Sequence, residues 1–318
     1  MRFLLLLLTY FISKTIFSQT PFPMLGHVGM RNAEILIHGV RQSDSLTIKL
    51  YNSEKILVQT KKAAVNHNLG HTCAIQFSQL TPNSNYLYQF NFHNFQSPLY
   101  SFKTQQLWQW RENPPPFTVA FGSCVYVNDS EFDRPGKPYG LSSTIFNSIM
   151  NEQPAAMIWG GDNVYFREGD WETATNMAER YVHTRSDSNI KNILMNVPNY
   201  AVWDDHDFGP NDSHGGFQFK NESQKVFRTM WPNQGYANFN GMNFGKIELN
   251  DIEIYFLDNR FNRTSPKLGK SAQMLGADQL EWLFNNLVTS KASFKLIVVG
   301  SQILNSEAVF ETFANYSE

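Results

Sequence analysis

Ala155-Ala156-Met157-Ile158-Trp159, followed by Gly160-Gly161-Asp162-Asn163-Val164-Tyr165, decides how this 318-residue chain folds. A short apolar run that stops at a glycine pair reads as a buried strand, with an acid standing where the strand emerges. The arrangement recurs. Phe117-Thr118-Val119-Ala120-Phe121 runs into Gly122-Ser123-Cys124, and Tyr200-Ala201-Val202-Trp203 runs into Asp204-Asp205-His206-Asp207. Residues 252–257 run into Asp258-Asn259-Arg260. Helices are expected at 141–152, from a cap at Asp170 to about His183, at 224–230 and at 278–288, with a last strand at 295–299. Strands alternating with helices predict an α/β domain over 117–318 with at least a partly parallel sheet. Ligands bind such sheets at the carboxyl ends of the strands, where these acids, thiol, imidazole, phenol and guanidinium would meet.

Upstream the period changes to short strands. Ile35-Leu36-Ile37, residues 46–50, 73–77 and 86–90, and Ser101-Phe102-Lys103-Thr104 are β-rich runs separated by turn formers. Cys73, Ile75 and Phe77 share one face, so Cys73 reads as a core thiol. Leu80-Thr81-Pro82, then Tyr86-x-Tyr88, then the run at 101–104 resembles the last strands of a fibronectin type III sandwich, which implies a β-sandwich over 21–104. Residues 105–116 end in Asn113-Pro114-Pro115-Pro116 and are expected to be a linker spacing two bodies semi-rigidly. At the start, Arg2 precedes an apolar run at 3–11 that is too short to span a bilayer but suits a secretory signal peptide over 1–20. The expectation is an exported mature chain, secreted or periplasmic, without a transmembrane anchor.

Composition narrows the function. Hydrophobic residues make up 42% and aromatic residues 14% of the chain, which excludes a disordered one. The 26 Lys and Arg are outnumbered by 28 Asp and Glu, so nucleic-acid binding by bulk electrostatics is not expected. Two cysteines cannot form a disulfide scaffold or a zinc knuckle. Clustered acids repel one another, so the strand-end site should hold cations. Carboxylate, phenolate and thiolate donors suit a set of hard divalent or trivalent metals rather than zinc. Two such cations can generate a hydroxide nucleophile and stabilise both oxygens of a phosphoryl transfer. Gly160 and Gly161 would let the backbone approach the metals closely, and His206 would stabilise charge or handle a proton.

In order, Phe121-Gly122-Ser123-Cys124, Gly161-Asp162-Asn163-Val164-Tyr165, Trp203-Asp204-Asp205-His206-Asp207, Leu257-Asp258-Asn259-Arg260 and Gln279-Leu280-Glu281-Trp282-Leu283 resemble the PhoD-like phosphatases, of the calcineurin-like metallophosphatase fold with αββα layers. The resemblance implies a phosphomonoesterase or phosphodiesterase using Fe(III) and Ca(II), in which a metal-bound hydroxide attacks phosphorus in small-molecule phosphate esters. By position, it implies that Cys124 and Tyr165 bind iron, Asp162 bridges iron and calcium, and Asp205 binds calcium. Asn211 would be a further metal ligand, and His206 and Arg260 would be catalytic, facing phosphate. The family also draws ligands from a later Gly-Asp-x-His segment, which this sequence does not hold up to Glu318. The expectation is therefore an incomplete metallophosphatase domain, its C-terminal part missing, that is metal-poor and inactive as a 318-residue chain. The alternative is an exported non-catalytic binding protein that retains a partial metal site.

Overall fold

The computed structural model describes residues 20–233 and 241–318, so all but Thr20 of the expected signal segment lies outside the described residues. The first eight strands are β1 (Phe22–Val28), β2 (Ala33–His38), β3 (Ser45–Asn52), β4 (Leu57–Ala64), β5 (Cys73–Phe77), β6 (Asn85–Phe92), β7 (Phe95–Gln96) and β8 (Tyr100–Lys103). They form two sheets, β1-β2-β5 and β4-β3-β6-β7, with β8 paired to β6. Alternation along β3 and β6 turns Leu46, Ile48, Leu50, Tyr86, Tyr88 and Phe90 inward, against Ile35, Ile37, Cys73, Ile75 and Phe77 of the facing sheet. Besides the two-residue β7, two of these strands carry no clear signal in sequence. β1 contains Pro23 and Gly26, which demote a strand unless it lies at a sheet edge, as β1 does. β4 is also an edge, kept polar by Lys61 and Lys62.

β2 is buried along its whole length and β1 nearly so, which requires a partner on each face. The outer partner is the second half of the chain, where Phe22, Met24 and Leu36 share a core with Tyr181, Ile190 and Trp231. Residues 105–116 therefore do not hold two bodies apart, contrary to the spacing expected of the prolines. Gln105 itself donates from Nε2 to the Val28 carbonyl at 2.8 Å.

His27 of β1 sits in this contact, its Nδ1 3.1 Å from the Tyr200 hydroxyl. Burial pushes its pKa down to about 4. The unfolded imidazole takes up a proton near pH 6.5 and the folded one does not until about 4. The stability held above 6.5 is therefore lost as pH falls through that window, by roughly 3 kcal/mol. His27→Gln should remove that part of the pH slope in urea denaturation, and an unchanged slope would refute the assignment.

The second half continues with β9 (Val119–Gly122), α1 (Ile145–Asn151), β10 (Ala156–Gly160), α2 (Ala174–Arg185), α3 (Ser188–Asn196), β11 (Asn199–Val202), α4 (Asp205–Phe208), α5 (Lys220–Met230), β12 (Gly245–Leu249), β13 (Ile252–Phe256), α6 (Ala277–Thr289) and β14 (Phe294–Val298). β9, β10 and β11 are parallel. β13 pairs antiparallel with β12 and parallel with β14. Ala156 and Ile158 of β10 and Tyr200 and Val202 of β11 pack on Ile247, Ile254, Phe256 and Val298, so the two sheets lie face to face. Met157, Trp159 and Ala201 point the other way, onto Phe146, Met177, Ile193 and Phe227 of the helices. α6 covers the far sheet through Leu283 against Tyr255 and Leu257. Helix, sheet, sheet and helix thus form four layers.

One local expectation changes and another holds in part. Asp170 opens a 3₁₀ turn rather than capping a helix, and Thr173 caps α2 by accepting from Asn176 N at 3.1 Å. Asp170 instead accepts from Arg180 Nε and Arg167 N, both at 2.7 Å. The sequence also suggests a poorly covered apolar face at Ile254, Phe256, Ile297 and Val299. Ile254 and Phe256 are fully buried between the sheets and Val299 is partly buried against the α6 side, whereas the edge strand β14 is open at Ile297 and also at Phe294 and Leu296.

Candidate metal centre

The carboxyl ends of β9, β10, β11 and β13 converge, and each delivers its motif through a tight backbone turn. Cys124 and Asp162 both adopt left-handed backbone conformations, φ +63° and +52°, which non-glycine residues hold only when the surroundings impose them. The two turns are tied together, Cys124 N donating to the Gly161 carbonyl at 3.1 Å and Val125 N to the Asp162 carbonyl at 2.8 Å. Gly161, φ +103°, has a different purpose from the one its position suggests. A Cβ there would lie 2.9 Å from Asp204 Cβ and 3.3 Å from Gly300 Cα, so the glycine lets the ends of both sheets close on each other.

Asp162 is the hub. Its Oδ2 accepts from the Tyr165 hydroxyl at 3.0 Å and lies 3.7 Å from Cys124 Sγ, while Oδ1 accepts from His206 N at 3.3 Å. Ligand atoms of Asp162, Asp205 and His206 all lie within 4.8 Å of one another. The Tyr165 and His206 rings are 4.4 Å apart. Asn211 is exposed and lines the same cleft beside His206 and Tyr165. Burial, then the charges of Asp205 and Asp204, raise the Asp162 pKa to about 6. Burial also raises the Cys124 thiol and, with the Asp162 charge, the Tyr165 phenol. A cluster that resists its own ionisation is what a bound cation would stabilise.

Asp204-Asp205-His206-Asp207 is not a solvated turn. It forms α4, with Asp207 buried and accepting from Asp204 N, Asn163 N and Asn163 Nδ2 at 2.6, 3.1 and 2.6 Å. Asp207 thereby fixes the motif's backbone, and burial raises its pKa well above the ordinary value. The Asp205 carboxylate is positioned by Asp212 N at 2.7 Å.

Arg260 departs from its expected role. It is fully buried, and all five N–H donors are taken by carboxylates and one carbonyl. Nε and Nη2 donate to Asp204 Oδ1, Nη1 donates to Ser213 O at 2.9 Å, and both terminal nitrogens reach Glu311, at 2.8 and 2.7 Å. Burial works against its charge, but Asp204, Glu311 and Asp205 outweigh it and raise the pKa. Arg260 therefore holds Asp204 beside the cluster and offers no free donor to phosphate. Three further partners complete this scaffold. Glu311 joins Arg260 to Arg263, Asn259 donates to Asp204 Oδ1 at 2.7 Å, and Asp258 accepts from Trp203 Nε1 at 2.8 Å. Asn259 and Asp258 stand within a quoted motif, whereas no local pattern marks Glu311.

A sequence profile described as PhoD-like phosphatase matches residues 138–316, more than half of the chain. The chain belongs to the PhoD-like phosphatase family. The match includes Asp162, Tyr165, Asp205, His206, Asn211 and Arg260, while Cys124 precedes it. Alkaline phosphatase D of Bacillus subtilis (strain 168) is 25% identical over 290 residues, which cover 78% of this chain and 47% of that protein. The chain thus spans about half the length of the curated relative it matches. The solved structure of PhoD superposes with a TM-score of 0.72 at 19% identity, covering 91% of this chain and 63% of that one. Purple acid phosphatase PPD1 from yellow lupin seeds gives 0.58 at 14% identity, over 88% and 50% of the two chains. These two likenesses establish a shared fold.

Proposed function

We propose that this PhoD-like chain is a secreted, metal-dependent hydrolase of small phosphate esters, monoesters or diesters, acting at the Asp162 cluster. The observation that carries the reading is the convergence of Asp162, Asp205 and His206 donor atoms, with Tyr165 and Cys124 against the same carboxylate. The donor chemistry fits two cations of different character. Cys124 and Tyr165 would hold Fe(III), Asp205 and Asn211 would hold Ca(II), and Asp162 would be shared. Bound there, the metals supply an activated water and charge neutralisation at the phosphoryl oxygens. The chain's own groups do the rest. His206, partly exposed beside Asp205, would donate to the departing ester oxygen. Arg260 and Asp207 keep the carboxylates in place.

The domain division 21–104, 105–116 and 117–318, with a fibronectin type III-like first body, belongs to this reading, as does export through residues 1–20. Among the described residues no helix is long and apolar enough to cross a membrane. The family membership does not favour the non-catalytic alternative. The test is hydrolysis of p-nitrophenyl phosphate and bis-p-nitrophenyl phosphate by chain loaded with iron and calcium. Turnover that is lost on chelation supports the reading over the inactive, metal-poor chain expected from the sequence, and metal uptake without turnover overturns it. Iron-loaded protein should also show a visible tyrosinate-to-iron band that Tyr165→Phe abolishes. A band unchanged in that variant would remove Tyr165 from the ligand set.

A further inference from the structure

Next to the metal cluster opens a cleft of about 480 Å³ whose walls combine aromatic rings with charged side chains. Its inner end is His206, Asn211 and Tyr165, so it is continuous with the candidate reaction centre. From there the rings run outward, Tyr165 to Tyr126 at 5.1 Å and Tyr126 to Tyr139 at 5.8 Å between centroids. Phe132, Phe166 and Trp171 add further rings to the lining. Tyr139 and Phe132 are open to solvent, at 71% and 55% exposure, and so present ring surface that no part of the described chain covers.

The wall is built to stay in place. Tyr126 donates from its hydroxyl to Asp133 at 2.7 Å, and Arg167 binds the same carboxylate oxygen at 2.7 Å while lying over the Tyr126 ring at 4.2 Å. These pairings also settle the charge of the cleft. Asp133 is matched by Arg167, and Glu168 by Arg134 at 3.1 Å. Lys137, in the same lining, has no ion-pair partner among the described residues and leaves the cleft cationic.

From these rings, this charge and this continuity, we infer that the cleft is a leaving-group subsite selecting phosphate esters that carry a planar aromatic group, stacked on Tyr139. The inference rests on the phosphoester reading of the metal centre. An aromatic face offers a planar group more than its buried area, because ring pairs at 4.5–7 Å attract further. An anionic ester is drawn in by the unmatched Lys137. A short alkyl ester would gain only the second effect.

The test uses non-hydrolysable anions on the iron- and calcium-loaded full chain, read by titration calorimetry. Phenylphosphonate, adenosine with a 5′-methylenephosphonate, methylphosphonate and inorganic phosphate are compared. Phenylphosphonate or the adenosine compound should bind about tenfold more tightly than methylphosphonate. Preference for either supports the subsite, and which is preferred fixes how far the ring stands from phosphorus. Tyr139→Ala should bring the ratio close to one, Tyr139→Phe should keep it, and Leu141→Ala, an exposed neighbour outside the lining, should keep it as well. Phosphate binding with no aromatic preference, or a preference that survives Tyr139→Ala, overturns the subsite alone. Failure to bind inorganic phosphate overturns the metal-centre reading and the subsite with it.

Discussion

Asp162→Asn is expected to reduce bound metal to background and to abolish phosphoesterase turnover with it. Among the described residues Asp162 is the one carboxylate touched by the phenol of Tyr165, the thiol of Cys124 and the backbone of His206. Losing a group that merely orients a ligand costs about 10–100-fold in metal affinity, and losing a shared ligand should cost more. Metal analysis after gel filtration checks this, and normal metal content in the variant would remove Asp162 from the centre. The same substitution should act oppositely on metal-free protein. The Asp162 pKa is raised to about 6, so the folded chain holds a proton that the unfolded chain releases near pH 4. Stability of chelated protein therefore falls as pH rises from about 4 to 6, by roughly 3 kcal/mol. At pH 7 metal-free Asp162→Asn should resist urea better than the parent chain. The carboxylate is kept at a cost in stability, as expected of a group that serves a ligand rather than the fold.

Arg260→Met should produce the largest loss of stability, about 3–5 kcal/mol, because it leaves Asp204 and Glu311 facing each other without their shared cation. In a body of this size that shifts thermal unfolding by about 10 °C. Arg260→Lys should recover little of it, since one ammonium cannot reproduce the forked contacts to two carboxylates. Urea denaturation of metal-free protein separates this from catalysis. A full loss of activity with unchanged stability would restore the phosphate-facing role that the position of Arg260 in its motif suggests.

These two residues show where a linear reading succeeds and where it stops. Period and punctuation marked five strands of the α/β half, though not α3 or β12, because a buried strand must be apolar and must end on a residue that lets the chain turn. The 155–165 stretch displays both, and β9, β10, β11, β13 and β14 stand within a residue or two of their expected places. Edge strands were harder. β1 and β4 lack the alternation of a half-buried strand, one because both its faces are covered and the other because its free edge is kept polar.

Asp162, Tyr165, Cys124, Asp205 and His206 were legible as a group because each follows a strand, and strands in one sheet bring their carboxyl ends to a common edge. What each side chain does there depends on its neighbours in space. Asp207 and Asp205 are two residues apart in one acidic run, yet one is consumed by the backbone of its own turn and the other faces the cluster. Glu311 lies fifty-one positions from Arg260, and nothing local announces the pairing. The amino-acid order by itself determined the buried strands of the α/β half and the set of polar residues at their ends, since these follow from local periodicity, while the four-layer arrangement was implied only by the family resemblance. Only the tertiary structure decided which charges neutralise one another, because a buried guanidinium is committed by whichever carboxylates the packed layers bring within hydrogen-bond reach.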